Sequence, residues 1–156
     1  METIEESSWH PDRLDVFIEG TDCVVEATGL SSFANMMSLM CADRSIALVS
    51  AALYRGGAVG RVRRQALPTD ALISERAGDS RYPVIPAGDE PFVFEAGCSS
   101  PVNEASPIAV ASIAATTADI VVDSLTGRNL HSEATIDVYR PLDAAPFDKL
   151  GRLEAS

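Results

Sequence analysis

Positive charge is short in this chain. Lys and Arg number 12 against 23 Asp and Glu, giving a formal net charge of −11. A surface this acidic repels phosphate backbones and argues against nucleic acid as a partner. Cysteine is also scarce, and wrongly spaced for metal or disulfide chemistry. Cys23, Cys41 and Cys98 form no Cys-x-x-Cys pair, and an odd number does not make a disulfide scaffold. That usage fits a reducing, cytoplasmic compartment. Cys23 lies in a strand pattern and Cys41 in a helix pattern, where each is expected to pack as a small hydrophobe. Long apolar runs are missing too. Ile108 to Leu125 comes nearest to a membrane span, but Asp119 and Asp123 interrupt it. The opening Met1 to Glu6 is acidic and has no apolar core, so it does not read as a signal peptide. His10 and His131 fall in expected loops with no second ligand nearby, and neither is assigned a catalytic role.

What remains is an ordinary globular composition. The 156 residues, 46% of them apolar, have room for one domain with a core. Residues 1–11 read as a lead-in, and Pro11 to Ile18 as a short helix or an edge segment. Asp22-Cys-Val-Val-Glu-Ala-Thr-Gly29 is a continuous, β-branched run ending in a turn, the pattern of a strand covered on both faces. Ser31 to Asp43 then repeats Phe33, Met36, Met37 and Met40 at helical spacing, which predicts a helix with these side chains in the core. Ile46 to Leu53 is a second buried strand, parallel to the first.

Arg55-Gly-Gly57 marks a turn, and Ala58 to Gln65 alternates as a strand returning antiparallel. Its Arg61, Arg63 and Arg64 are the densest positive charge in the chain, and the expectation is a solvated edge strand guarded by cations. Pro68 to Pro101 is a long irregular region with a short helix expected over Asp70 to Arg76. Ser106-Pro107 is a helix start, and the helix runs to Thr126 and stops at Gly127. Ile113, Ala114, Ile120, Val121 and Leu125 are expected on its packed face. Glu133 to Tyr139 alternates as a last strand, and residues 141–156 read as a tail with Pro146-Phe147 as an anchor.

In this order and spacing the motifs resemble the C-terminal half of the ThiF/MoeB/HesA family, the adenylyltransferases related to ubiquitin-activating enzymes. Asp22 to Thr28 looks like the family's strand, and Leu48-Val-Ser-Ala-Ala52 with Gly56-Gly57 and Gly60 is similar to its next strand and hairpin. A proline-rich loop holding Gly97-Cys98 and the helix from Ser106 to Gly127 complete the match over residues 12–140. The resemblance implies a three-layer, Rossmann-like α/β fold with a mixed sheet, incomplete because only the second half is matched. It implies Mg-ATP as cofactor, a ubiquitin-like or sulfur-carrier protein as partner, and oligomers. Adenylation of that partner's C-terminal glycine would follow, with Thr28 and Gly29 at the nucleotide and Cys98 as the acceptor thiol.

The departures from the family are equally specific. The glycine-rich phosphate loop is missing from the 21 residues before Asp22, and Gly29 stands where the family has a carboxylate that works on Mg-ATP. A split or truncated module, with its phosphate-binding half supplied elsewhere, is the expected form. The paired-cysteine zinc sites of many members are absent as well, so no zinc is expected. Two other readings stand beside this one. A degenerate half-domain can serve as a non-catalytic partner-binding subunit. Val24-Val-Glu-Ala-Thr-Gly29 also resembles a strand in the second half of NAD-dependent Rossmann dehydrogenases. An isolated half-sheet is expected to expose an edge and apolar surface, and so to associate.

Overall fold

The computed structural model describes residues 11–87 and 105–154. Cys98 and His10 lie outside that range. In chain order the elements are α1 (Pro11–Ile18), β1 (Cys23–Glu26), α2 (Ser31–Asp43), β2 (Ala47–Tyr54) and β3 (Val59–Gln65). A 3-10 turn (Ile73–Glu75), α3 (Pro107–Thr126), β4 (Ala134–Val138) and β5 (Gly151–Glu154) follow. The five strands form one mixed sheet in the order β1-β2-β3-β4-β5. β1 and β2 are parallel, and every later pair is antiparallel.

Strand alternation sorts the core onto two faces. Leu48 packs with Ile18, Met37, Cys41 and Ile73, with Phe33, Met36 and Met40 against them, so α1, α2 and the 3-10 turn cover one face. Its neighbours Val49 and Ala51 point the other way and pack with Val62, Ile113 and Ile120, so α3 covers the opposite face. Burying side chains such as Leu48 or Met37 contributes about 1.5–3 kcal/mol each. The result is an α/β sheet with helices on both faces, as the sequence predicts. The methionine stripe of α2 is core, and Cys41 is fully buried, also as predicted.

Helix α3 begins and ends where local chemistry says it should. Ser106 Oγ accepts from Ala109 N at 3.2 Å, Pro107 opens the helix, and Gly127 closes it in the left-handed region at φ 66°. Its packed face is narrower than predicted. Ile113 and Ile120 are buried, whereas Ala114 and Leu125 are exposed. Among the described residues α3 is the one helix long and apolar enough to cross a membrane, with a mean hydropathy of 1.6 and a third of its apolar window buried.

Three expectations are corrected. β3 is the central strand of the sheet, with β2 on one side and β4 on the other. Its arginines therefore point into the two covered faces and do not guard an edge. The segment after Pro141, read as a tail, supplies β5, which pairs with β4 from Gly151 to Glu154. Phe147 between them is buried among Ala58, Val59, Ile136 and Val138, which makes it the anchor that was expected there. The short helix expected over Asp70 to Arg76 is a single 3-10 turn.

Candidate functional site

The resemblance places its nucleotide contacts at the end of β1. There the chain turns through Gly29 at φ 72°, a conformation that glycine adopts without strain. Glu26, the last residue of β1, is buried. Its Oε1 accepts from Thr28 N at 2.7 Å and from Thr28 Oγ1, and its Oε2 accepts from Ser50 Oγ at 2.7 Å. Thr28 and Gly29 are exposed beside the start of α2. The structure brings these two predicted residues together, while Cys98 lies outside the described residues. The one carboxylate at this turn is thus engaged internally. No group of three or more His, Cys, Asp and Glu side chains is arranged to hold a metal ion among the described residues.

The same hydrogen-bond chain leads into a cavity that the sequence did not reveal. Ser50 Oγ, which donates to Glu26, accepts from an Arg63 guanidinium nitrogen at 2.9 Å. Ser50 faces Arg63 and Ala52 faces Arg61 across the β2–β3 ladder, so both arginines stand on the α2 side of the sheet. Their alternation sets the two Cα atoms about 7 Å apart on one face. They line a cavity of about 390 Å³ with Tyr54, Arg76 and Tyr82, walled by Val84, Ile85, Ile136 and Leu153, and with Ser31 and Asn35 of α2 at its border. Helix α2 begins at Ser31 with no side-chain cap from Leu30.

Arg61 and Arg63 are half-buried, and no carboxylate pairs with either of them directly among the described residues. Among the described residues neither Arg61 nor Arg63 has a carboxylate within 4.0 Å. Arg61 donates to the Tyr54 hydroxyl, and its guanidinium carbon lies 4.8 Å from the Tyr54 ring centre. Its Nε is buried without a partner. Burial pushes the Arg63 guanidinium down to about 10, with Arg61 and Arg76 adding to the fall and Tyr54 and Glu26 opposing it.

Arg76 is 95% buried in a different setting. It donates to the carbonyls of Glu133, Arg64 and Ala71 and lies 3.4 Å from the Glu133 carboxylate. Its Nε has no partner. Burial lowers its pKa, against the raising influence of Glu133, Tyr82 and Asp70. Tyr82 donates its hydroxyl proton to Glu133, which fixes the ring over Arg76 at 5.2 Å.

Sequence reading missed Glu26, Ser50, Tyr54, Arg76 and Tyr82 altogether, and misplaced Arg61 and Arg63. One local signal was present: Arg61 and Arg63 alternate with Val62 and Arg64, so two cations share a face. His131 donates its main-chain N–H to Asp123 and its carbonyl accepts from Arg64. Comparison with protein-family models, with curated proteins and with solved structures gives no match to this chain.

Proposed function

We propose that this chain is the second half of a ThiF-like activating-enzyme module, a three-layer, Rossmann-like unit that serves ATP-dependent adenylation of a ubiquitin-like or sulfur-carrier protein. The observation that carries the reading is the order of elements. A parallel β1-α2-β2 unit leads through Gly56-Gly57 into antiparallel β3, and α3 then crosses the opposite face to reach β4. That is the order of the motifs on which the resemblance rests. β1 is the terminal strand, and Val25 on it is half exposed, so its outer side is where further strands of a larger sheet would join.

In this reading Thr28 and Gly29 stand beside the nucleotide, whose phosphates are cradled by a loop outside residues 12–140. The partner's terminal carboxylate attacks the α-phosphorus of ATP, releasing pyrophosphate and forming an acyl-adenylate. The thiolate of Cys98 then attacks the acyl carbonyl, AMP leaves, and a thioester results. The other two thiols are unsuited to that step. Burial pushes Cys41 up to about 11 and raises Cys23, so neither is appreciably a thiolate at neutral pH.

Calorimetric titration of Mg-ATP into the chain, with NAD as control, tests the reading. The expected result is no heat from Mg-ATP until a polypeptide carrying the phosphate loop is added. Binding of NAD alone would replace the reading with the dehydrogenase one. A second reading, a non-catalytic partner-binding subunit, is favoured by the internal engagement of Glu26 and by Gly29. Iodoacetamide labelling at pH 7 separates the two. Rapid labelling abolished by Cys98→Ser supports the acceptor-thiol role, and slow labelling of all three cysteines supports the binding subunit.

A further inference from the structure

The cavity between β3 and Tyr82 does not depend on the reading above, and nothing in that reading uses it. We propose that it is a binding site for a phosphate monoester carried on a small, largely apolar body. The argument begins with charge. Two guanidinium groups are held side by side in an acidic molecule of net charge −11, with no acid partner among the described residues. Desolvating even half-buried cations is costly, the nearest acid to Arg63, Glu26, reaches it only through Ser50, and a bound anion would offset that cost. Two cations are balanced by one dianion, which a phosphate monoester provides and a single carboxylate does not.

The remaining features fit the same ligand. Arg76 also lines the cavity, and its guanidinium, 95% buried and held by three main-chain carbonyls, adds a third positive charge near the first two. The guanidinium groups of Arg61 and Arg63 are held in place, one by Tyr54 and the other by Ser50, so little side-chain freedom is lost on binding. Ile136 and Leu153 give the cavity an apolar wall beside the charged one, which suits an ester with an apolar body better than free phosphate. At about 390 Å³ the cavity falls within the range of small-ligand sites.

Phenyl phosphate, inorganic phosphate, succinate and acetate would be titrated into the full chain by calorimetry. The expected result is one site for phenyl phosphate, at least tenfold tighter than acetate and tighter than inorganic phosphate. Arg63→Gln and Arg61→Gln should each weaken it at least tenfold, while Arg128→Gln, at the far end of α3, leaves it unchanged. Thermal unfolding of each variant without ligand guards against misfolding: the two cavity variants should melt at or above the parent's temperature. The proposal is overturned if phenyl phosphate does not bind at millimolar concentration, or if the two variants bind it as the parent does. Succinate binding as tightly as phenyl phosphate would also overturn it, in favour of a dicarboxylate.

Discussion

Arg63 and Arg64 are adjacent on one strand and lead opposite lives. Arg64 points to the α3 face, where Asp70 grips it with two oxygens at 3.0 Å, Asp123 lies 3.8 Å away and the His131 carbonyl accepts at 2.8 Å. Asp70 is itself held by the main-chain N–H groups of Ala66 and Leu67, and Asp123 by those of Leu130 and His131. Arg63 points to the α2 face, where among the described residues it donates one hydrogen bond, to Ser50, which in turn donates to Glu26. Among the described residues the same side chain at consecutive positions is thus paired with carboxylates in one case and held only by a serine in the other. An arginine enclosed by carboxylates holds elements together. One half-buried with no carboxylate within 4.0 Å among the described residues is free to meet an anion from elsewhere.

The comparison can be broken at several points. Removing an acid from the satisfied side should have the largest effect. Asp70→Ala leaves Arg64 buried beside only a distant carboxylate, and urea unfolding should show a loss of about 3–5 kcal/mol. Gly60→Ala is expected to come next. A Cβ there would meet the Tyr139 ring at 2.9 Å, and overpacking of this kind costs about 1–3 kcal/mol, read as a lower urea midpoint.

Acid should act on the satisfied side as well. Burial raises the Asp70 carboxyl, but the hydrogen bonds from Arg64, Ala66 and Leu67 outweigh it and leave the pKa lowered. Asp123 is also lowered, with burial opposed by Leu130, His131 and Arg64. Both groups are more acidic folded than unfolded. The stability they supply is therefore complete above the unfolded carboxylate pKa of about 3.9 and is lost as pH falls through the folded values. Unfolding free energy measured from pH 6 downward should decline there, and Asp70→Asn should flatten the decline. The smallest effect belongs to the unsatisfied side. Arg63→Met exchanges a desolvated cation and one hydrogen bond for an apolar chain, and should change stability by no more than about 1 kcal/mol. A loss as large as that of Asp70→Ala would erase the distinction between the two arginines.

What could be read from the sequence follows from how far each signal reaches. The caps of α3, Ser106 and Gly127, act within a turn of their own positions, and they were legible. The methionine stripe repeats within one helix and was legible for the same reason. The place of β3 in the sheet is set by Ala134–Val138, which pairs with it from beyond a long loop and helix, and no local pattern carries that information. β5 is four residues long and gains its partner only once β4 is in place. The arginine cavity was hidden by the same gap, since it exists only where β3, β4 and the 76–85 segment meet. Thr28 and Gly29 could be singled out because they are consecutive in one local motif, and Glu26 was overlooked because its partner Ser50 lies in the next strand.

The strand order has a consequence for how the molecule is made. Each strand of the sheet lies beside its immediate predecessor in the chain, so the sheet can be laid down in the order of synthesis. While the chain grows, β3 is the newest strand and its far side stays unpaired until Ala134 and the residues after it are added. Through that interval Arg61, Arg63 and Arg64 sit on an open edge, where cations discourage pairing with another chain. In the folded chain that edge is gone: β3 lies between β2 and β4, and Arg61 and Arg63 line the cavity together with Ile136 of β4 and Leu153 of β5.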